Sequence, residues 1–292
     1  MRLISIHGLK EGMVVGRAFL NEEQHPLLQK NIVLTDSIID RLRQLKVQYL
    51  YIEEKIPNKI ETVPQIKRQK AINEMTTLFR KGKETIFLQE RYFPKIENLA
   101  DELYHIVINH EELLIILTDT YLFNKDIFQH SLNVALYSMA IAMELGNLND
   151  DLHLIGLGAL FHDVGKIAIP QSILKKPENL TEDEFSIMKL HTEYGFHILH
   201  NIHNISVEVA KCAQQHHERI DGSGYPKGLT AQEIHPYAKI VAVSDVCDAL
   251  TSNRVYREKI SPSKVIRFIQ EGSGEIFDRQ VVEAFKKCID YT

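Results

Sequence analysis

The sequence of 292 residues has few cysteines, and none of them is placed to pair with another. Cys212, Cys247 and Cys288 lie far apart, without the CxxC spacing of redox or metal motifs. Frameworks of disulfides need cysteines in even numbers, whereas isolated thiols are usual in a reducing compartment. The cysteine usage therefore predicts a cytoplasmic protein rather than a disulfide-stapled one.

Long apolar segments are also missing. The longest apolar run, Leu113–Leu117 with its immediate neighbours, is far shorter than the ~20 residues that a membrane helix needs. No apolar segment of the kind found in signal peptides follows Arg2. The sequence therefore predicts no membrane span and no cleaved leader.

An excess of basic charge is the third absence. The chain has 34 basic and 39 acidic residues, for a net charge of -5, so we expect no DNA or RNA polymer as partner. A small anionic substrate is not excluded, because a local patch or a bound metal can reverse the field. With 44% hydrophobic and 25% charged residues, the composition is that of an ordinary folded protein.

The hydrophobic pattern predicts a mainly α protein, a helical bundle preceded by a small N-terminal α+β module. In residues 1–54, Gly12–Ala18 and Gln48–Ile52 are rich in strand-forming residues, and Thr35 precedes a segment with helical spacing. Residues 55–118 are interpreted as a linker and connecting helices. Residues 119–292 read as a second domain that is helical almost throughout.

Histidines and aspartates fall on several separate helical segments of this second domain. They are His130, His162, Asp163, His191, His216, His217 and Asp245. Helical bundles build metal sites from inward side chains of this kind. Mixed imidazole and carboxylate ligands suit Mn, Fe or Zn better than Mg, and the set is too large for one tetrahedral ion, so two adjacent ions are expected.

Taken singly, any one of these histidines is more often a surface or hydrogen-bonded residue than a ligand. The pair His162–Asp163 is different, because it lies between the apolar segments Gly158–Phe161 and Ile167–Ile169. A buried charged pair needs partners or a metal. Lys166 follows three residues after Asp163 and could contact a phosphate or form a simple ion pair with Asp163.

Two further segments have residues suited to phosphate or base contacts. The stretch His216–Pro226 places two glycines and a proline around Tyr225, whose ring could stack on a base or whose hydroxyl could reach a phosphate; a packed tyrosine at a helix end is the alternative. Arg254 and Arg257 are three residues apart, and guanidinium groups suit phosphate, although a solvated helix end is equally compatible. Asp248 lies one helical turn from Asp245 and can share its face.

Together these segments resemble the HD-GYP family, the cyclic di-GMP phosphodiesterase branch of the HD phosphohydrolases. The matching motifs, in order, are HSLNVA from His130, LFHDVGK ending at Lys166, IAIP from Ile167, ILKKP from Ile173, MKLH ending at His191, HHERIDGSGYPKGL from His216 and SDVCDALTSNRVYR ending at Arg257. The resemblance covers roughly residues 120–290 and is specific, because so many motifs recur in order.

The resemblance implies roles for individual residues. The metal ligands would be His130, His162, Asp163, His191, His216, His217 and Asp245, with Asp163 bridging two divalent ions, expected to be iron or manganese. Substrate contacts would come from Lys166, Tyr225, Arg254 and Arg257. Asp126 lies where some members carry a glutamate associated with a third metal, and a third ion there is left open.

The mechanistic hypothesis is that a hydroxide activated by two metal ions attacks the phosphodiester. Asp163 and Lys166 would act at the reacting group, and Lys166, Arg254 and Arg257 would stabilise the phosphate charge. The products would be pGpG, with further hydrolysis to GMP left open. The rival hypotheses are another nucleotide-cleaving HD phosphohydrolase and a non-catalytic cyclic di-GMP receptor. A homodimer, and signalling partners that bind the N-terminal module or the GYP loop, are also left open.

Overall fold

A computed structural model describes residues 2–16, 18–20, 26–45, 47, 49–53, 69–77, 88–147, 149–252 and 260–289. The chain divides into two compact units, a smaller one formed mainly by Met1–Thr62 and a larger one containing Val63–Ile167 and Gln171–Thr292. The predicted fold class, mainly α with a small α+β module at the N-terminus, is confirmed.

Where it is described, the smaller unit has five short strands, one α-helix and a 3-10 turn at Ile6–Gly8. Its elements are β1 (Arg2–Ser5), β2 (Val14–Val15), β3 (Phe19–Leu20), β4 (Pro26–Leu28), α1 (Asp36–Gln44) and β5 (Tyr49–Glu53). Strands β1, β5 and β2 form an antiparallel sheet in that order. Thr35 caps α1 by accepting from the backbone N–H of Ile38, as its position predicts. Strand β2 is shorter than the predicted segment Gly12–Ala18.

The larger unit is built from helices. Among the described residues, 69–77 are helical, and the helices with both ends described are α2 (Phe93–Asn109), α3 (Glu111–Phe123), α4 (Lys125–Glu144), α5 (Asn149–Leu160), α6 (Gln171–Leu174), α7 (Glu182–Lys189), α8 (His191–His200), α9 (Val207–Gln215), α10 (Pro236–Thr251), α11 (Pro262–Glu271) and α12 (Arg279–Cys288). A 3-10 turn, Val164–Ala168, follows α5. Thr181 and Glu184 form the predicted capping box at the start of α7.

Helix α4 lies at the centre of this unit, packed against α5, α10 and α12. Every residue from His130 to Ala142 is buried, because the helix is apolar around nearly its whole circumference, and such a helix is stable only inside a protein. The first turns of α4 therefore hold His130 inside the bundle, where the ends of α5 and α9 also bring histidines. Across the described ranges, no helix has the length and apolar character of a membrane span.

Candidate metal centre

The structure gathers seven predicted ligand residues into two neighbouring groups. One contains Asp163, His191, His216 and His217, and the other contains His130, His162 and Asp245; within each group, one ligand atom per residue lies within 4.8 Å of the others. Six of these side chains are buried, and His217 is partly exposed. Side chains from α4, α8 and α10 meet those that follow α5 and α9, so the site exists only in the folded bundle.

The two carboxylate oxygens of Asp163 face different groups. Oδ1 lies 3.4 Å from Nε2 of His191 and 3.7 Å from Nε2 of His216. Oδ2 lies 3.4 Å from Nε2 of His162 and 3.8 Å from Nε2 of His130. These separations are too long for good hydrogen bonds, but one carboxylate can bind two cations through its separate oxygens. Asp163 is therefore placed between two potential cation sites.

Three of the histidines are oriented by hydrogen bonds from Nδ1, the ring nitrogen that points away from the centre. In each case Nδ1 donates to a backbone carbonyl, which leaves the lone pair on Nε2 directed at the other ligands. The pairs are His162 with Ala159 at 2.7 Å, His191 with Met188 at 2.7 Å and His216 with Ala213 at 2.9 Å. Carbonyl partners of this kind fix the tautomer that a metal-binding imidazole needs.

Several buried atoms at this centre lack the partner that burial requires. Nε2 of His162 and Oδ1 of Asp163 are buried and make no hydrogen bond among the described residues, whereas Nε2 of His130 lies 3.0 Å from Oδ1 of Asp245. Nε2 of His191 and Nε2 of His216 are only 3.3 Å apart, although both present a lone pair. Unpaired buried acceptors cost free energy, and a divalent cation would satisfy all of them. The donor set therefore fits metal ions.

The protonation states of three histidines and of Asp163 also suit metal binding, whereas His130 must first release a proton. Burial lowers the pKa of His130, but Asp245 and Asp248 outweigh that effect and raise it to about 9. Burial lowers the pKa of His191 to about 4 and lowers the pKa values of His216 and His217 well below the ordinary value, so these rings are neutral, as ligands must be. Burial alone would raise the pKa of Asp163, but Lys166 and His162 hold that pKa far below its usual range. The carboxylate is therefore ionised.

Lys166 lies on the 3-10 turn after α5, and its Nζ is 2.5 Å from Oδ2 of Asp163. The turn is held by the backbone N–H of Lys166, which donates to the carbonyl of Asp163. The ion pair that the sequence left open is thus present, and it places an ammonium group beside the carboxylate between the two groups.

Tyr225 is held against the centre by the loop that follows α9. Its backbone N–H donates to the carbonyl of His217, and its ring lies on that of His217, with centroids 4.7 Å apart. The buried carboxylate of Glu218 accepts from the backbone N–H groups of Lys227 and Leu229. Glu218 thereby fixes the shape of the loop, a function that the sequence did not indicate.

Asp248 is the residue closest to the site that the sequence analysis did not assign. Its Oδ2 accepts from Nδ1 of His130 at 2.6 Å, and its Oδ1 accepts from Asn133 at 2.8 Å and from Ser252 at 3.0 Å. These contacts direct Nε2 of His130 toward Asp163 and Asp245. The spacing of Asp245 and Asp248 on one helical face was a signal for this role, but the partner His130 is 118 residues away in sequence.

We expect Asp248→Asn to weaken metal affinity by about 10- to 100-fold, the usual cost of losing an outer partner of a ligand. An amide offers only one acceptor oxygen, whereas Asp248 accepts three bonds through two oxygens. Equilibrium dialysis against Mn²⁺ measures the effect, and the exposed Asp150→Asn serves as the control. Equal affinity in both variants would show that Asp248 does not orient the ligand.

Asp126, Arg254 and Arg257 are the remaining predicted site residues. Asp126 is exposed in the first turn of α4 and belongs to neither group among the described residues. Arg254 and Arg257 lie outside the described residues, so their predicted phosphate contacts stay predictions.

Comparison with known proteins adds an independent finding. A family model described as HD domain matches residues 99–281. The chain is 30% identical over 318 residues to a cyclic di-GMP phosphodiesterase of Pseudomonas aeruginosa, and the alignment covers 99% of the chain and 77% of that protein.

Other relatives match mainly the helical part. The chain is 43% identical over 145 residues to a cyclic di-GMP phosphodiesterase response regulator of Xanthomonas campestris pv. campestris, covering 49% of the chain and 38% of that protein. It is 38% identical over 155 residues to a 3'3'-cGAMP-specific phosphodiesterase of Vibrio cholerae, covering 53% of the chain and 30% of that protein. The chain thus spans most of the first relative but less than half of these two.

Proposed function

The chain belongs to the HD-domain family, in its HD-GYP branch, and we propose that it is a metal-dependent phosphodiesterase that hydrolyses cyclic di-GMP. The observation that carries this proposal is the placement of Asp163, with one oxygen toward each of two groups of buried ligands. Support for the substrate class comes from relatives whose names specify cyclic di-GMP or 3'3'-cGAMP.

We propose that two divalent ions bind, one to each group, with Asp163 shared between them. Asp163, His191, His216 and His217 would hold one ion, and the group of His130 with His162 and Asp245 would hold the other. Iron or manganese suits this mixture of imidazole and carboxylate. When bound, such ions lower the pKa of water and neutralise phosphate charge.

The side chains around the ligands would bind and orient the substrate. Lys166 donates to Asp163 and, as an ammonium beside the centre, would also attract a non-bridging phosphate oxygen and stabilise charge that develops on it. The phenol of Tyr225 stays protonated because burial raises its pKa, so its hydroxyl can donate to a phosphate. Arg254 and Arg257 are proposed as further phosphate contacts from the motif alone.

The test is turnover by the purified chain. We expect the protein, loaded anaerobically with Fe²⁺ or with Mn²⁺, to convert cyclic di-GMP to pGpG, with chromatography showing whether GMP follows. Metal analysis on the same sample gives the number of ions per chain. Chelation with EDTA should remove the activity, and readdition of Mn²⁺ should restore it.

A parallel reaction with 3'3'-cGAMP tests the substrate, because one relative is named for that molecule. Faster turnover of 3'3'-cGAMP than of cyclic di-GMP would replace the proposed substrate within the same enzyme class. Binding of cyclic di-GMP with no turnover under any metal would instead support a receptor.

A further inference from the structure

A large aromatic side chain is exposed beside the metal centre. Phe185 on α7 is 44% exposed, and its ring centroid lies 6.1 Å from that of Tyr225. The ring centroid of Tyr225 in turn lies 4.7 Å from that of His217 and 6.5 Å from that of His191. The rings of His217, Tyr225 and Phe185 therefore form a series that leads outward from the ligands.

Lys189 places a positive charge on the same series. It follows Phe185 by four residues on α7 and so shares its face. Its Nζ lies 4.8 Å from the ring centroid of Phe185 and 5.6 Å from that of Tyr225. Among the described residues, no carboxylate forms an ion pair with Lys189, so none of them neutralises its charge.

We propose that Phe185 and Lys189, together with Tyr225, form a subsite that binds one nucleobase of the cyclic dinucleotide next to the scissile phosphate. This inference rests on the proposed function. A phenylalanine ring offers only a flat apolar surface, and every nucleobase has a face that stacks on such a ring. In a cyclic dinucleotide each base is one ribose away from a phosphate. A phosphate at the ligands therefore brings a base to the outer rings, where Lys189 attracts the second phosphate.

The subsite selects a class of ligand rather than one base. Stacking on an aromatic ring tolerates different bases, because it uses their faces and not their hydrogen-bonding edges. Phe185 offers no donor or acceptor to tell guanine from adenine. Loss of Phe185 should therefore weaken the binding of cyclic di-GMP and the binding of 3'3'-cGAMP by similar factors.

The experiment compares steady-state kinetics of the Mn²⁺-loaded full chain and its variants. We expect Phe185→Ala to raise KM for cyclic di-GMP about tenfold with kcat little changed, since base stacking on an aromatic side chain is worth about that factor. Phe185→Tyr should retain the wild-type KM, and Phe185→Leu, which keeps apolar bulk without a ring, should resemble the alanine variant. Lys189→Met should also raise KM and make it less sensitive to salt.

A spectroscopic readout separates stacking from general loss of structure. A cyclic dinucleotide that carries 2-aminopurine should lose fluorescence on binding to the wild type, because stacking quenches that base, and the quenching should be absent in Phe185→Ala. Rapid mixing records it before turnover. Ile187→Ala is the matched control, since Ile187 is 37% exposed on the same helix and has no aromatic ring on which a base could stack.

The outcomes are distinguishable. If the wild type turns over cyclic di-GMP but Phe185→Ala and Ile187→Ala have the same KM and the same quenching, the subsite is wrong and the proposed function stands. If no cyclic dinucleotide is bound or hydrolysed by the wild type, both proposals are wrong. A rise in KM restricted to cyclic di-GMP would contradict the base-tolerant stacking described here.

Discussion

The Asp163→Ala variant is expected to lose metal retention and phosphodiesterase turnover together. We expect activity to fall at least about a thousandfold, equivalent to ~4 kcal/mol of transition-state stabilisation. The measurements are metal content per chain after gel filtration and the rate of pGpG formation at saturating cyclic di-GMP.

The reason for so large an effect is that Asp163 serves both groups of ligands. Its Oδ1 faces His191 and His216, and its Oδ2 faces His162 and His130. Removal of any histidine would weaken one cation site, whereas removal of this carboxylate weakens both. The variant also removes a buried negative charge that would offset the repulsion between two dications held close together.

The control for this prediction is Asp101→Ala, an exposed aspartate on α2. This substitution removes the same carboxylate group, and the variant should keep its metal content and its activity. Asp163→Asn adds a second test, because the amide keeps the size of the side chain but has only one acceptor oxygen. If Asp163→Asn retained both ions and turnover, the shared-carboxylate arrangement would be wrong.

Gly165→Ala is the second change with a large expected effect. A Cβ atom added at Gly165 would lie 1.9 Å from the carbonyl oxygen of His191 and 2.6 Å from the backbone nitrogen of Gly195. Both are main-chain atoms of α8, so the helix itself must move away from the 3-10 turn. We expect a loss of about 3 kcal/mol in unfolding free energy and a fall in kcat of at least about a hundredfold, because small displacements of catalytic groups are costly.

The movement would separate His191 from Asp163, which lie on the two sides of this close approach. Chemical denaturation measures the stability, and metal content reports on the site. Gly146→Ala is the matched control. Gly146 has a φ of 80° and nothing within 4 Å of an added Cβ, so alanine there should cost only about 1 kcal/mol from backbone strain and leave metal binding unchanged. Equal effects of the two substitutions would contradict the steric argument.

Much of this site could be predicted because the residues that suit metal binding occur in short sequence motifs. The pair His162–Asp163 in an apolar frame indicated buried charges, and the doublet His216–His217 at a helix end indicated ligands. The helices could be predicted from apolar spacing and from caps such as Thr35 and Thr181, which depend on residues only three or four positions apart.

Other features could not be predicted, because they depend on which side chains meet across the bundle. Asp248 shares a helical face with Asp245, yet no residue near it in sequence indicates that it accepts a hydrogen bond from His130. Phe185 reads as one more apolar position of α7, and only the folded chain places its ring beside Tyr225. Glu218 reads as a charged loop residue but is buried against two backbone N–H groups of the loop.

The sequence by itself determined the family, the helical character of the larger unit and the identity of the ligand-type residues, because donor chemistry and helical periodicity are properties of short segments. Only the tertiary structure decided how the predicted ligands divide into two groups and which oxygen of Asp163 faces each of them. The physical reason is that these relations depend on helix packing between residues that are tens of positions apart, where a shift of one turn would point the same side chains elsewhere.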